Sequence, residues 1–101
     1  MIHVVAEIRL HPGQLPDYLA ILQENIPAVL AEPGCLDYRA TVDFDAGLPT
    51  QSRQADTVSL LEKWASPEAL HAHRQAPHML TYREKTRGLV ESVQMKVLQE
   101  V

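Results

Sequence analysis

A single cysteine in 101 residues, Cys35, leaves the chain without an internal disulfide and without the thiolate cluster of a structural metal site. Four scattered glycines build no phosphate-cradling loop, and no serine stands in a nucleophile motif. Cations are also scarce: nine Lys and Arg against thirteen Asp and Glu give a net charge of −4, with the basic residues dispersed. That pattern excludes the electrostatic footprint of a binder of nucleic acid or of an anionic membrane surface. No apolar stretch approaches the roughly 20 residues that span a bilayer, and no segment repeats at a fixed period. No N-terminal apolar run follows basic residues as in an export signal. The expectation is one cytoplasmic domain over residues 1–101, with no membrane span, and with 46% hydrophobic residues to supply one core.

The residues that are present fall into clear periods. Ile2, Val4, Ala6, Ile8 and Leu10 alternate with His3, Val5, Glu7 and Arg9, which predicts a strand with one face in the core. His11-Pro12-Gly13 breaks it, and Pro16 suits a helix's first turn. Leu15, Tyr18, Leu19, Leu22, Ile26, Val29 and Leu30 then form a helical stripe, in which Pro27 predicts a kink or an early stop followed by a tighter last turn. After Pro33-Gly34, a second strand puts Leu36, Tyr38, Ala40 and Val42 on one side and Cys35, Asp37, Arg39 and Thr41 on the other. Asp43 to Asp56 reads as a long loop, a length often tied to function. Thr57 to Trp64 is a third strand. Ser66-Pro67-Glu68 starts a helix, Pro77 divides it into pieces over roughly Pro67 to Ala76 and His78 to Arg87, and Gly88 closes the second. Val93, Met95 and Val97 mark a last strand.

The order β-α-β-β-α-β predicts an α+β domain: a four-stranded antiparallel sheet with helices on one face. The other face would carry Glu7, Arg9, Asp37, Arg39, Gln94 and Lys96 among Val5, Cys35 and Leu98. Such a mixed surface suits either solvent or a second copy across a two-fold axis.

Three of the five histidines fall within eight positions, directly after the only tryptophan. A metal site is disfavoured. His71 and His73 would sit about 200° apart on a helix, and no Cys or carboxylate completes a ligand spacing with His71 and His78. His71 reads as a solvated residue. His78 follows Pro77 at a helix start, where exposed N–H groups disfavour an imidazolium, and a neutral imidazole is a competent base. Tyr82 lies one turn on, on the same face. Trp64 suits a core anchor or the wall of an aromatic pocket, and Tyr38 on a core-facing position needs a partner or a ligand for its hydroxyl. Glu62 alternates onto the same side, either paired or poised to take a proton.

Four segments together resemble one family: Val4-Val5-Ala6-Glu7-Ile8-Arg9 followed by Pro12-Gly13-Gln14; Pro33-Gly34-Cys35; Glu62-Lys63-Trp64; and Leu70-His71-Ala72-His73-Arg74-Gln75-Ala76-Pro77-His78-Met79. The last is the most specific. From first strand to last, the chain resembles the antibiotic biosynthesis monooxygenase family, and within it the small quinol monooxygenases. The resemblance implies a ferredoxin-like fold that forms a homodimer sheet to sheet as a dimeric α+β barrel. It also implies a pocket between sheet and helices, and oxygenation of a quinol or related electron-rich aromatic by O2 without flavin, haem or metal. A deprotonated quinol can itself give an electron to O2, so the protein needs a base, a dry pocket and donors for the developing anion. On the family's motif positions, the resemblance makes His78 the base with His73 behind it as catalytic residues and Trp64 and Tyr82 parts of the pocket; Tyr38 and Glu62, from their places on the strands, complete the expected substrate-binding set.

Two alternatives stay open. Sugar-phosphate isomerases of quorum-signal processing resemble the same family, share a histidine followed after a spacer by Pro-His, and would use the cations Arg74, Arg83, Lys85 and Arg87. A non-catalytic module binding a small aromatic through Trp64 and Tyr38 is the other. Haem degradation is disfavoured: Ala6 stands near the place of the expected first-strand asparagine, and Tyr82 or Arg83 replaces the late histidine.

Overall fold

The computed structural model describes residues 1–101. Strand β1 (Ile2–Leu10) runs into helix α1 (Leu15–Leu30), and β2 (Cys35–Thr41) and β3 (Thr57–Trp64) follow, separated by the long loop. Helices α2 (Pro67–Gln75) and α3 (Pro77–Thr86) then lead into β4 (Val90–Leu98). The strands form one sheet in the order β2-β3-β1-β4, with every neighbouring pair antiparallel. This is the ferredoxin-like α+β fold that the element order predicts.

Register turns alternation into a core. Val4 sits opposite Glu62, Ala6 opposite Leu60 and Ile8 opposite Val58, so the inward residues of the two central strands form one buried sheet face. Tyr18, Leu22 and Val29 of α1 close over that face. Trp64, Tyr18 and Val58 are wholly buried at its centre.

Three local expectations change. Helix α1 runs through Pro27 to Leu30 instead of stopping. Pro27 removes one intrahelical donor, and buried Val29 keeps the final turn on the core; the tighter turn comes just beyond, where Glu32 N–H donates to the Val29 carbonyl at 3.0 Å. In β2 the register shifts between Cys35 and Asp37, a bulge that turns Cys35 onto the core beside Trp64 and leaves Leu36 exposed. The alternation had placed these two residues on the opposite sides. Val93, Met95 and Val97 of β4 do pair with Ile8, Ala6 and Val4 and so share the helix side, yet all three are exposed, because the helix layer stops short of this edge strand.

Gly34 fixes the join between α1 and β2. Its φ is +82°, and a Cβ there would stand 2.6 Å from the Ala69 Cβ, so only glycine lets α2 approach this turn. Its carbonyl accepts from Ala65 N–H at 2.8 Å, which ties the turn to the end of β3. The loop between β2 and β3 is exposed and held by its own polar contacts, including the Gln54 amide to Asp43 at 2.7 Å.

Candidate active site

The site grows from the break between α2 and α3. Ser66 caps α2, its hydroxyl accepting from the Ala69 amide at 3.2 Å, and Pro77 forces a new helix to start after Ala76. The break places His73, in the last turn of α2, and His78, in the first turn of α3, with ring centres 6.5 Å apart. Between them lies Glu32, just past α1. Its Oε2 accepts from His73 Nδ1 at 2.7 Å and lies 3.2 Å from His78 Nε2. His78 Nδ1 faces Asn25 Oδ1 at 3.0 Å. One carboxylate therefore joins two imidazoles, and α1 and the turn just after it supply the two groups that orient His78.

Behind His73 the sheet supplies a rigid backing. The Trp64 ring packs on the imidazole with centroids 4.6 Å apart, and Trp64 Nε1–H donates to Glu62 Oε1 at 2.9 Å in a fully buried contact. Burial pushes the Glu62 carboxyl up from its ordinary value, with the indole hydrogen bond and Arg74 opposing it. Burial also lowers the His73 pKa against the opposing pull of Glu32, so the ring is held neutral near pH 7. With Nδ1 committed to Glu32, Nε2 carries the lone pair and has no protein partner.

A cavity of about 500 Å³ opens between the sheet and α2 and α3. Ala6, Ile8 and Leu60 give its floor an apolar surface, and Tyr38 and Glu62 stand at its side. His73, Met79 and Tyr82 descend from the helices, and Arg74, Arg83 and Arg87 add cations. Its size suits a small aromatic molecule. Tyr82 shares a short hydroxyl–hydroxyl contact with wholly buried Tyr18. Burial raises the pKa of Tyr18, Tyr38 and Tyr82, which keeps each phenol a proton-bearing donor. The Tyr38 hydroxyl makes no hydrogen bond within the protein, so it is free to meet a ligand.

Of the six residues singled out from the sequence, His73, Tyr38, Tyr82 and Glu62 line this cavity. Trp64 does not: it is wholly buried behind His73. His78 instead lines a separate cleft of about 230 Å³ with Asn25, Tyr82 and Lys85. His73 therefore stands at the cavity, and His78 lies beyond Glu32 at the second opening. No residue of the loop 43–56 reaches the cavity, and His71 is exposed. Glu32, Asn25 and Tyr18 were not singled out for chemistry. Glu32 carried one usable signal: an acid just past a helix C-terminus opposes the helix dipole and needs a cationic or hydrogen-bonding partner elsewhere. No group of three or more His, Cys, Asp or Glu is arranged to hold a metal ion.

Comparison with known proteins places this geometry. The model of the antibiotic biosynthesis monooxygenase family matches residues 1–85. The chain belongs to that family. Among curated members it is 40% identical over 101 residues to the Escherichia coli K12 protein named probable quinol monooxygenase YgiN, covering 98% of this chain and 97% of that one. Among solved structures, Rv0793 from Mycobacterium tuberculosis superposes with a TM-score of 0.81 at 28% identity, covering 99% of this chain and 94% of that one. PA3566 from Pseudomonas aeruginosa gives 0.83 at 22% identity, with 99% and 93% covered, a likeness of fold alone. The family likeness thus runs through both helices that carry the histidines. No helix is long and apolar enough to cross a membrane.

Proposed function

We propose that the protein is a cofactor-independent monooxygenase that oxidises a quinol or related electron-rich aromatic with O2. The observation that carries the reading is His73: a buried, neutral imidazole with Nδ1 fixed on Glu32 and Nε2 unpartnered, in the wall of an apolar cavity. A relative of 40% identity named for quinol oxidation supports the substrate class.

In this mechanism the aromatic lies on Ala6, Ile8 and Leu60, and His73 Nε2 takes a quinol proton. The imidazolium that forms is stabilised by Glu32, which the 2.7 Å contact already holds in place. The Tyr38 and Tyr82 hydroxyls donate to the quinolate oxygens. The quinolate passes one electron to O2, giving semiquinone and superoxide; these combine at a ring carbon as a peroxide anion, which takes the proton back from His73 to become a hydroperoxide. Loss of water from that hydroperoxide, its second hydrogen coming from the same ring carbon, leaves a hydroxyquinone, so one quinol and one O2 give one hydroxyquinone and one water. His73 is neutral again at the end of the cycle. Glu32 and His78 form a hydrogen-bonded side-chain route from His73 to a second opening.

Labelled oxygen tests the reaction. With 18O2 and a reduced naphthoquinone, the reading expects one 18O in the hydroxyquinone and the other in water, at a rate above autoxidation. Product without label, or no rate above background, overturns it. An isomerase of a small phosphorylated carbonyl compound is the second reading, favoured by the three arginines. Proton exchange next to the carbonyl of such a compound, catalysed without O2, would establish it. The reading also includes a homodimer through the open sheet face, where Val5, Leu61 and Leu98 lie among Glu7, Arg9, Asp37 and Lys96. Light scattering at twice the 11.3 kDa chain mass is the expected result.

A further inference from the structure

We propose that the cavity is built for an aromatic that carries an anionic substituent, a carboxylate on the ring being the simplest, read by Arg74 together with Arg83. The inference rests on the oxygenase reading for the aromatic body and goes beyond it in naming a charge that the quinol itself lacks.

Three guanidinium groups border one small cavity in a chain with more acids than bases. Their own partners differ. Arg87 is neutralised by Glu84 at 2.8 Å, three residues back on the helix. Arg83 donates to the Arg74 backbone carbonyl, which orients its side chain at the wall without meeting an anion. Arg74 reaches from α2 across the mouth to β4, where its Nη1 stands 3.7 Å from Met95 Sδ, and it forms no salt bridge. The one carboxylate in the lining, Glu62, gives Oε1 to the Trp64 indole and meets Arg74 through its charge alone, without a hydrogen bond. Two cations therefore border the cavity with no protein carboxylate hydrogen-bonded to either.

A neutral quinol would offer those groups only uncharged hydrogen-bond acceptors in the ground state. A ring carboxylate would offer a charged partner: a guanidinium fork matches its two oxygens, and half-buried Arg83 is less screened than exposed Arg74. The same cations would also favour the quinolate that forms during reaction, but that effect appears in the rate. A substituent charge appears in binding, and so it is visible with the oxidised quinone, which has no quinol proton to lose.

The test compares 2-carboxy-1,4-naphthoquinone with its 2-methyl counterpart by equilibrium dialysis against the intact protein, in wild type, Arg74→Gln and the Arg74→Gln/Arg83→Gln pair. Expected is a preference for the acid of about tenfold at low salt, cut at least fivefold by the double substitution and weakened at high salt. Equal affinities within twofold would overturn the inference, as would an acid preference that survives the double substitution. O2 uptake with the two reduced compounds separates this from the reading beneath it. Uptake with both but no acid preference rejects the anion site alone. An arginine-dependent acid preference without uptake rejects the oxygenase and keeps the site.

Discussion

Replacing Glu32 with Gln tests the histidine–carboxylate–histidine array at its centre. The variant keeps the side-chain shape and an oxygen able to accept from His73 Nδ1, so packing around the 12% exposed side chain is preserved. What disappears is the negative charge that stabilises an imidazolium. A hydrogen bond to a charged group contributes about 1.5–3 kcal/mol against about 1 kcal/mol for a neutral one. The difference of about 1–2 kcal/mol, felt in the transition state where His73 gains its proton, lowers kcat by roughly 5- to 30-fold. The pH dependence supplies a second readout with a definite sign. Burial lowers the His73 pKa and Glu32 raises it, so removing the charge moves the pKa further down. The acid limb of kcat/KM, below which the base is protonated, therefore shifts to lower pH while the plateau falls. The assay is initial O2 uptake with a reduced naphthoquinone from pH 5 to 9, beside thermal melts showing that the variant is folded. A plateau within twofold of wild type, or an acid limb that stays or moves upward, would refute the assignment of Glu32 and His73 as one unit.

Other perturbations follow from the same geometry. Trp64→Phe removes the indole donor to buried Glu62 and loosens the backing of His73; the expected loss is about 1–3 kcal/mol, read by denaturant melts. Glu62→Gln keeps an acceptor for Trp64 but removes a charge that burial opposes. Because the folded pKa of Glu62 is raised, its contribution to stability is full below the unfolded value of about 4.5 and is lost as pH rises through the folded value. The Gln variant should therefore melt higher than wild type at pH 7, with the gain vanishing near pH 4, and an unchanged difference across that range would contradict the assignment. Gly34→Ala meets both an unfavourable φ and the Ala69 Cβ, and should lose about 2–4 kcal/mol, whereas Gly13→Ala, with open space around it, should lose only the backbone part of about 1–2 kcal/mol.

Most of the architecture was legible because each element carried its own punctuation. Alternation marked β1 and β3, Ser66-Pro67 opened α2, and Pro77 split the second helical region where the structure splits it. The bulge at Leu36 was not, since it depends on how β2 registers against β3 after the Gly34 turn, and no local pattern encodes a cross-strand register. The exposure of Val93, Met95 and Val97 escaped for a related reason: alternation assigns a face but does not say how far the helices reach over it. At the site, residue types proved easier to read than directions. His73, Tyr38, Tyr82 and Glu62 meet at the cavity as grouped from the sequence, but the angle between two short helices decides which histidine faces inward. Glu32 and Asn25 reach the histidines only through tertiary packing of α1 and the turn after it on α2 and α3, across 41 to 53 positions of chain.

The central claim is that a cavity-facing imidazole lets O2 react with a bound quinol and no other redox group. The most direct measurement is O2 consumption by protein treated with chelator and dialysed, given a reduced naphthoquinone, in wild type and in folded His73→Gln. General-base catalysis is worth about 10²- to 10⁴-fold. The account predicts uptake well above autoxidation, at one O2 per quinol, lost by at least a hundredfold in the variant. Uptake equal to autoxidation, or a His73→Gln protein as active as wild type, would contradict it.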